Sequence, residues 1–220
     1  MANPWAAIFD WDGVIVDSSR AHEESWERLA AEEQRTLPAR HFQRSFGMKN
    51  EKIIPELLRW TTDPREIRRL SLRKEALYRE IIAEVGIAPL PGIRAFLDRL
   101  RRAAVPCAIA SSTHRQNITA TLDALGLAGR FAAIVSAEDV IHGKPDPEIF
   151  LLAAKTIGAA PARCVVFEDA HVGIQAARAA GMKVVGVATT HPANTLQDAD
   201  RVVKRLDRLS LQELKGFFLP

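Results

Sequence analysis

Short apolar runs that break off into polar clusters punctuate this chain, and the stretches between them carry apolar residues at helical spacing. Ala6-Ala7-Ile8-Phe9 stops at Asp10-Trp11-Asp12-Gly13, the pattern of a buried strand and a turn. From about Ser18 to Ala88 the texture differs: β-branched apolar runs are nearly absent, and Glu, Arg, Ala and Leu dominate. Trp26, Leu29 and Ala30 recur at helical spacing, as do Ile53, Ile54, Leu57 and Leu58, and again Ile67, Leu70, Leu77, Ile81 and Ile82. That spacing predicts three to five amphipathic helices. Thr61-Thr62-Asp63-Pro64 interrupts them, with Asp63 as an N-cap and Pro64 at the first helical position.

Past Ala88-Pro89-Leu90-Pro91-Gly92 the texture changes again. Residues 107–110, 132–135, 164–167, 183–187 and 201–203 read as strands, with helices over 116–125, 147–157 and 172–180. The alternation predicts right-handed βαβ units, hence an α/β fold with a doubly wound parallel sheet covered on both faces. An all-α unit is inserted directly after the first strand. The α/β core is expected over 1–17 and 90–220 and the helical unit over 18–89, because an insertion that long forms a unit of its own. Two chain crossings, near Asp17 and Pro89, suit a hinge.

Composition narrows the function classes. The 220 residues, 47% hydrophobic, suffice for one core and a small accessory unit. Acids and bases are interspersed, the formal net charge is +3, and no basic block is interleaved with aromatics, so no nucleic-acid partner is expected. Cys107 and Cys164 open apolar runs and read as free buried thiols suited to a reducing cytoplasm. Met1-Ala2-Asn3-Pro4-Trp5 has no secretion-signal pattern, and no apolar stretch reaches the roughly 18 residues of a membrane span, so a cytoplasmic location without a membrane partner is expected.

Candidate chemistry follows from what stands after each strand, since doubly wound sheets bind ligands beyond the carboxyl ends of their strands. After the first come Asp10 and Asp12; after the second, Ser111-Ser112-Thr113; a few residues past the third, Gly143-Lys144-Pro145-Asp146-Pro147; after the fourth, Glu168-Asp169. Each cluster alone is a turn or a helix cap. Their succession at four strand ends argues for one shared site. Carboxylates crowded together repel unless a cation intervenes, and Mg2+ suits a site of carboxylates, waters and a substrate phosphate. Asp10 and Asp169 are the candidate metal ligands, with Glu168 close by or acting through water. Lys144, the Ser111 hydroxyl and main-chain N–H groups around Ser112 suit the phosphate oxygens. This is the equipment of phosphoryl transfer. Asp10 and Asp12 stand two positions apart at a strand end, so one can attack phosphorus to form an aspartyl-phosphate while the other handles a proton. Asp12 protonates the leaving alcohol and then deprotonates water, a role favouring a carboxyl that takes up a proton near neutrality.

These segments resemble the motifs of the haloacid dehalogenase superfamily of phosphohydrolases across essentially the whole chain. Phe9-Asp10-Trp11-Asp12-Gly13-Val14-Ile15-Val16-Asp17-Ser18 is similar to its first motif, Ser111 to the second, Lys144 in Gly-Lys-Pro-Asp-Pro to the third and Glu168-Asp169 to the fourth. The helical insertion resembles the cap of the subfamily that includes β-phosphoglucomutase, phosphoglycolate phosphatase and several sugar-phosphate phosphatases. The resemblance implies Asp10 as nucleophile and Asp12 as acid/base. It implies Mg2+ held by Asp10, the Asp12 main-chain carbonyl and Asp169 with Glu168 assisting, and a cap that opens and closes. Asp17, His22, Trp26, Lys74 and Tyr78 match positions of the β-phosphoglucomutase branch. That branch carries a lysine just before the glycine corresponding to Gly47 and an arginine three residues after it. Here Phe46 and Asn50 stand there, with Lys49 between. A mutase must grip a second phosphate, for which bidentate arginine is suited. The expected function is therefore a phosphatase acting on a small phosphorylated metabolite such as a sugar phosphate, with β-phosphoglucomutase activity as the alternative. Cap and substrate contacts are expected from His22, Trp26, Lys49, Asn50, Lys74, His114 and Arg115. A monomer is expected, with a dimer as the alternative. A signalling receiver domain also sets Asp, Ser/Thr and Lys on a doubly wound sheet, but lacks the helical insertion.

Overall fold

Strands form at β1 (Ala6–Phe9), β2 (Cys107–Ala110), β3 (Ala133–Val135), β4 (Cys164–Glu168), β5 (Lys183–Val187) and β6 (Arg201–Val203) in a computed structural model that describes residues 5–219. They join in the order β3-β2-β1-β4-β5-β6, every neighbouring pair parallel. The order reverses at β1, which has β2 on one side and β4 on the other, so the crevice expected at the switch point opens beyond Phe9. Met1-Ala2-Asn3-Pro4, used above in reading the N-terminus, lies outside the described residues.

Period-two alternation distributes the strand residues between two cores. Ala7 and Phe9, with Val165 and Phe167, face one way; Ala6 and Ile8, with Cys164 and Val166, face the other. The helices, in chain order, are α1 (Ser19–Glu32), α2 (His41–Ser45), α3 (Asn50–Lys52), α4 (Pro64–Val85), α5 (Ile93–Arg102), α6 (Arg115–Ala124), α7 (Glu148–Thr156), α8 (His171–Ala179) and α9 (Leu211–Gly216). Phe96 and Leu100 of α5, Ile118 of α6 and Leu214 of α9 cover the Phe9 face; Phe150 of α7 and Ile174 of α8 cover the Ile8 face. On the first face Phe9 stacks on Phe167 with ring centroids 4.6 Å apart, and meets Phe96 and Phe131 edge-on. Cys107 and Cys164 are free and buried, and burial pushes their thiols up to about 12 and about 11. Among the described residues no helix is long and apolar enough to cross a membrane.

Helices α1 to α4 bury an apolar cluster of their own, built from Trp26, Leu29, Ile53, Ile54, Leu58, Leu70 and Leu77. Asp63 caps α4 by accepting from the Arg65 N–H at 3.0 Å, and Pro64 opens the helix. Ile53–Leu58 winds as a wider π-type turn instead of the expected α-helix; Pro55 within it has no N–H to give an α-helical ladder. The two chain crossings lie side by side. Leu90 N–H donates to the Ile15 carbonyl at 2.9 Å, and Asp17 N–H to the Ala88 carbonyl at 3.3 Å. The helical unit thus hangs from a paired two-strand neck.

Candidate active site

The hydrogen-bond ladders of the sheet run one residue past the strand ends and aim the site. Asp10 N–H donates to the Phe167 carbonyl at 2.9 Å, and Ser111 N–H to the Val135 carbonyl at 3.0 Å. Asp10, Ser111, Lys144, Glu168 and Asp169, drawn from four separate segments of the chain, are all buried. Lys144 Nζ sits between two carboxylates, 3.0 Å from Asp10 Oδ2 and 2.7 Å from Glu168 Oε2. Asp10 Oδ1 accepts from the Trp11 N–H at 2.8 Å. Glu168 Oε1 accepts from the Ala170 N–H at 3.0 Å.

One ammonium does not balance three buried carboxylates. Burial, reinforced by Glu168, pushes the Asp10 carboxyl up to about 8 despite Lys144. Burial, then Glu168 and Asp10, raise Asp169 well above the usual carboxylate range. Asp169 Oδ2 is held by Thr190 Oγ1, whereas the buried Asp169 Oδ1 has no hydrogen-bond partner. Oxygen atoms of Asp10, Glu168 and Asp169 lie within 4.8 Å of one another. An orphaned, buried oxygen in an all-oxygen, net-negative set fits a hard divalent cation of the Mg2+ type. Gly13 makes room for this arrangement: its φ is +71°, and a Cβ there would stand 1.8 Å from Asp169 Oδ2.

Asp12 lies in a different environment. Ser18 Oγ donates to its Oδ1 at 2.5 Å, Thr113 Oγ1 bonds Oδ2, and His22 Nε2 lies 3.1 Å from Oδ1. Lys74 Nζ is 2.7 Å from His22 Nδ1. An ammonium only donates, so Nδ1 accepts and Nε2 carries the proton toward Asp12. Burial would raise the Asp12 carboxyl, but the adjacent His22 and the bonds from His22, Ser18 and Thr113 hold it down at about 2. The expectation of an Asp12 protonated near neutrality is corrected accordingly: three donors converge on it and favour the ionised form.

The helical unit forms the opposite wall of a small cavity of about 40 Å³. His22, Trp26, Asn50 and Lys74 line it with Asp10, Asp12, Ser111 and Ser112, as do Phe46 and Glu75. Ser112 Oγ donates across the gap to the Gly47 carbonyl at 2.9 Å. Three expected contacts point elsewhere. Lys49 Nζ donates to the Val140 carbonyl at 2.9 Å and lines a separate groove. His114 faces Glu138 at 3.3 Å, and Arg115 bonds the Ile134 carbonyl and Asp139. The helix start at Arg115 turns both side chains toward the Glu138 side, away from the cavity. Sequence reasoning missed Ser18, Glu75 and Asn117, whose amide donates to Glu75, and also Thr190 and Thr189, the latter donating to the Gly13 carbonyl. The two threonines follow β5, so the strand-end rule, carried one strand further, finds them; nothing local marks Glu75.

Comparison with known proteins agrees with this geometry. The haloacid dehalogenase-like hydrolase family matches residues 6–181. The chain is 39% identical over 212 residues to the chloroplastic 5-amino-6-(5-phospho-D-ribitylamino)uracil phosphatase of Arabidopsis thaliana, covering 95% of this chain and 56% of that protein, so it spans little more than half of that relative. It is 33% identical to the β-phosphoglucomutase of Bacillus subtilis, covering 95% of this chain and 93% of the relative. A crystal structure of Clostridium difficile β-phosphoglucomutase superposes with a TM-score of 0.85 at 28% identity, covering 97% and 96% of the two chains. The matched segment contains β1 to β4 and the site residues from Asp10 to Asp169. The chain belongs to the haloacid dehalogenase-like hydrolase family.

Proposed function

We propose that this hydrolase is a Mg2+-dependent phosphatase that cleaves a small phosphorylated metabolite, a sugar phosphate above all, through an aspartyl-phosphate on Asp10. The observation that carries the reading is the Asp10–Lys144–Glu168 cluster at the sheet's switch point, beside the orphaned Asp169 Oδ1. Asp10, the Asp12 main-chain carbonyl and Asp169, with Glu168 assisting, would hold the metal. When bound, Mg2+ supplies positive charge that lets carboxylates and phosphate share the site.

The chain's own groups do the rest. Lys144 and Ser111 meet the phosphoryl oxygens. An Asp10 oxygen attacks phosphorus while the bond to the leaving oxygen breaks, and Asp12 gives that oxygen a proton. Asp12 then takes a proton from the water that attacks phosphorus, which frees Asp10 and releases inorganic phosphate. An arriving phosphate brings like charge to Asp12, which raises its proton affinity from the low value set by its three donors. The helical unit over 18–89 acts as the lid on the core over 1–17 and 90–220, swinging at the paired neck to exclude bulk water.

Similarity to named phosphatases of Arabidopsis thaliana and of Escherichia coli, the latter a fructose-1-phosphate phosphatase 33% identical over 180 residues, supports the reaction class. The similarity to β-phosphoglucomutases keeps one competitor in view. The test is phosphate release from sugar phosphates, phosphoglycolate and nucleoside monophosphates with magnesium, beside Asp10→Asn. β-Glucose 1-phosphate is followed by NMR in parallel. Release that requires both Asp10 and magnesium is expected. Conversion to glucose 6-phosphate without release would overturn the reading in favour of a mutase.

A further inference from the structure

A buried carboxylate stands on the wall that faces the nucleophile, and nothing in the proposed reaction uses it. Glu75, on α4, lines the cavity yet is only 3% exposed. Three donors hold it: Lys74 Nζ at 3.0 Å and Asn50 Nδ2 at 2.8 Å on Oε1, and Asn117 Nδ2 at 2.5 Å on Oε2. Although burial opposes it, Lys74, His22 and His114 together with the Asn50 bond keep the carboxyl low, at about 2, so Glu75 stays ionised with Lys74 as its counter-ion.

The bonding inventory says what this wall can still accept. A carboxylate offers about four acceptor positions, and Glu75 has three occupied. Asn50 spends both amide hydrogens, on Glu75 and on Ser71 Oγ at 3.1 Å, leaving only its carbonyl oxygen to face a ligand. Lys74 gives one hydrogen to His22 and one to Glu75, leaving a third. The free groups are therefore mostly acceptors with a single donor, which is the complement of hydroxyl groups. Charge points the same way. The residues lining the cavity include three carboxylates, on Asp10, Asp12 and Glu75, and one lysine, whose charge Glu75 already pairs; no arginine is among them. A second phosphate or a carboxylate at this end of a substrate would meet no uncommitted cation in a poorly solvated space, because Lys74 is already paired with Glu75.

We infer that Glu75, set by Lys74, Asn50 and Asn117, selects monophosphates whose leaving group is uncharged and rich in hydroxyls, and rejects substrates carrying a second anionic group. This rests on the phosphatase reading and adds the substrate class. Glu75 acts as a specificity residue through charge and hydrogen bonding.

The experiment pairs sugar monophosphates with their bisphosphates: fructose 1-phosphate with fructose 1,6-bisphosphate, and glucose 1-phosphate with glucose 1,6-bisphosphate. Calorimetry with magnesium measures their binding to the Asp10→Asn protein, and phosphate release measures kcat/KM of the wild type. In each pair the monophosphate is expected to be favoured by at least about ten-fold, in binding and in turnover. Adding Glu75→Gln, nearly isosteric, is expected to raise the bisphosphate relative to the monophosphate by about ten-fold. Equal handling of the pair by the wild type overturns the inference, and this readout needs no variant of Glu75. So does an unchanged ratio in a folded Glu75→Gln protein, or binding of neither member of any pair. The two readings fail separately: if the Asp10→Asn protein binds the monophosphates but the wild type releases phosphate from none of them, the phosphatase reading fails while the binding ratios still decide the substrate class.

Discussion

Replacing Gly13 by alanine separates backbone strain from damage to the site, because a matched control exists in the same chain. Gly13 and Gly126 both have left-handed backbones, with φ of +71° and +60°. A Cβ at Gly126 meets nothing within 4 Å, whereas one at Gly13 lands 1.8 Å from Asp169 Oδ2 and 2.6 Å from its Cγ. Alanine in the left-handed region costs about 1–2 kcal/mol, which is all that Gly126→Ala should show. Real Cβ contacts stop near 3.0 Å, so in Gly13→Ala the Asp169 carboxylate must retreat by about 1 Å. Its bond with Thr190 is then lost or bent, which adds about 1.5–3 kcal/mol for a charged, buried acceptor. A displacement of that size in a reacting constellation costs about 10²-fold in rate. Urea unfolding and phosphate release measure the two effects. Gly126→Ala is expected to lose about 1–2 kcal/mol with turnover unchanged, and Gly13→Ala about 2.5–5 kcal/mol with kcat/KM down about 100-fold. Wild-type turnover in Gly13→Ala would refute the claim that Asp169 must stand where it does.

Metal and pH act on the same carboxylates. The folded, metal-free protein holds a proton on Asp10 between its ordinary value of 3.8 and the raised value of about 8, where the unfolded chain has lost it, so stability falls as pH rises through that window. Tm in a chelator should therefore drop between about pH 5 and pH 8, and magnesium should raise Tm more at the upper end; a metal-free Tm that climbs over that interval contradicts the repulsion argument. Lys144→Met leaves Asp10 and Glu168 facing each other without their shared cation, at a cost of about 3–5 kcal/mol by urea unfolding, and turnover should fall by at least about 100-fold. Phe9→Ala removes a fully buried ring that packs on Phe96, Phe131 and Phe167, so a loss of about 3–5 kcal/mol is expected in the same assay.

Legibility in the sequence tracked how local the cause was. The strands at Ala6–Phe9 and Cys107–Ala110 were readable because each is a short apolar run with a polar stop, and the core helices shifted by only a residue at their ends. The carboxylates, the lysine and the serine of the core were readable because a parallel sheet sends every strand end to one rim. Lys49, His114 and Arg115 were misplaced because proximity in sequence to a site residue says nothing about side-chain direction. Each found a partner facing away from the cavity, at Val140, Glu138 and Asp139.

The pattern of apolar runs and breaks alone determined the fold class, the helical insertion and the identity of the groups at the strand ends, since these depend on residues within a few positions of one another. Only tertiary structure decided the protonation of those groups and the character of the opposite wall. Asp10 and Asp12 are two residues apart and chemically identical. One is driven up by burial and by Glu168 of β4, and the other is held down by His22, Ser18 and Thr113 from other elements. Glu75 likewise acquires its place from Asn50 and Asn117, far away in sequence. Charge and solvation are set by what surrounds an atom in space, and a one-dimensional string records only who its chain neighbours are.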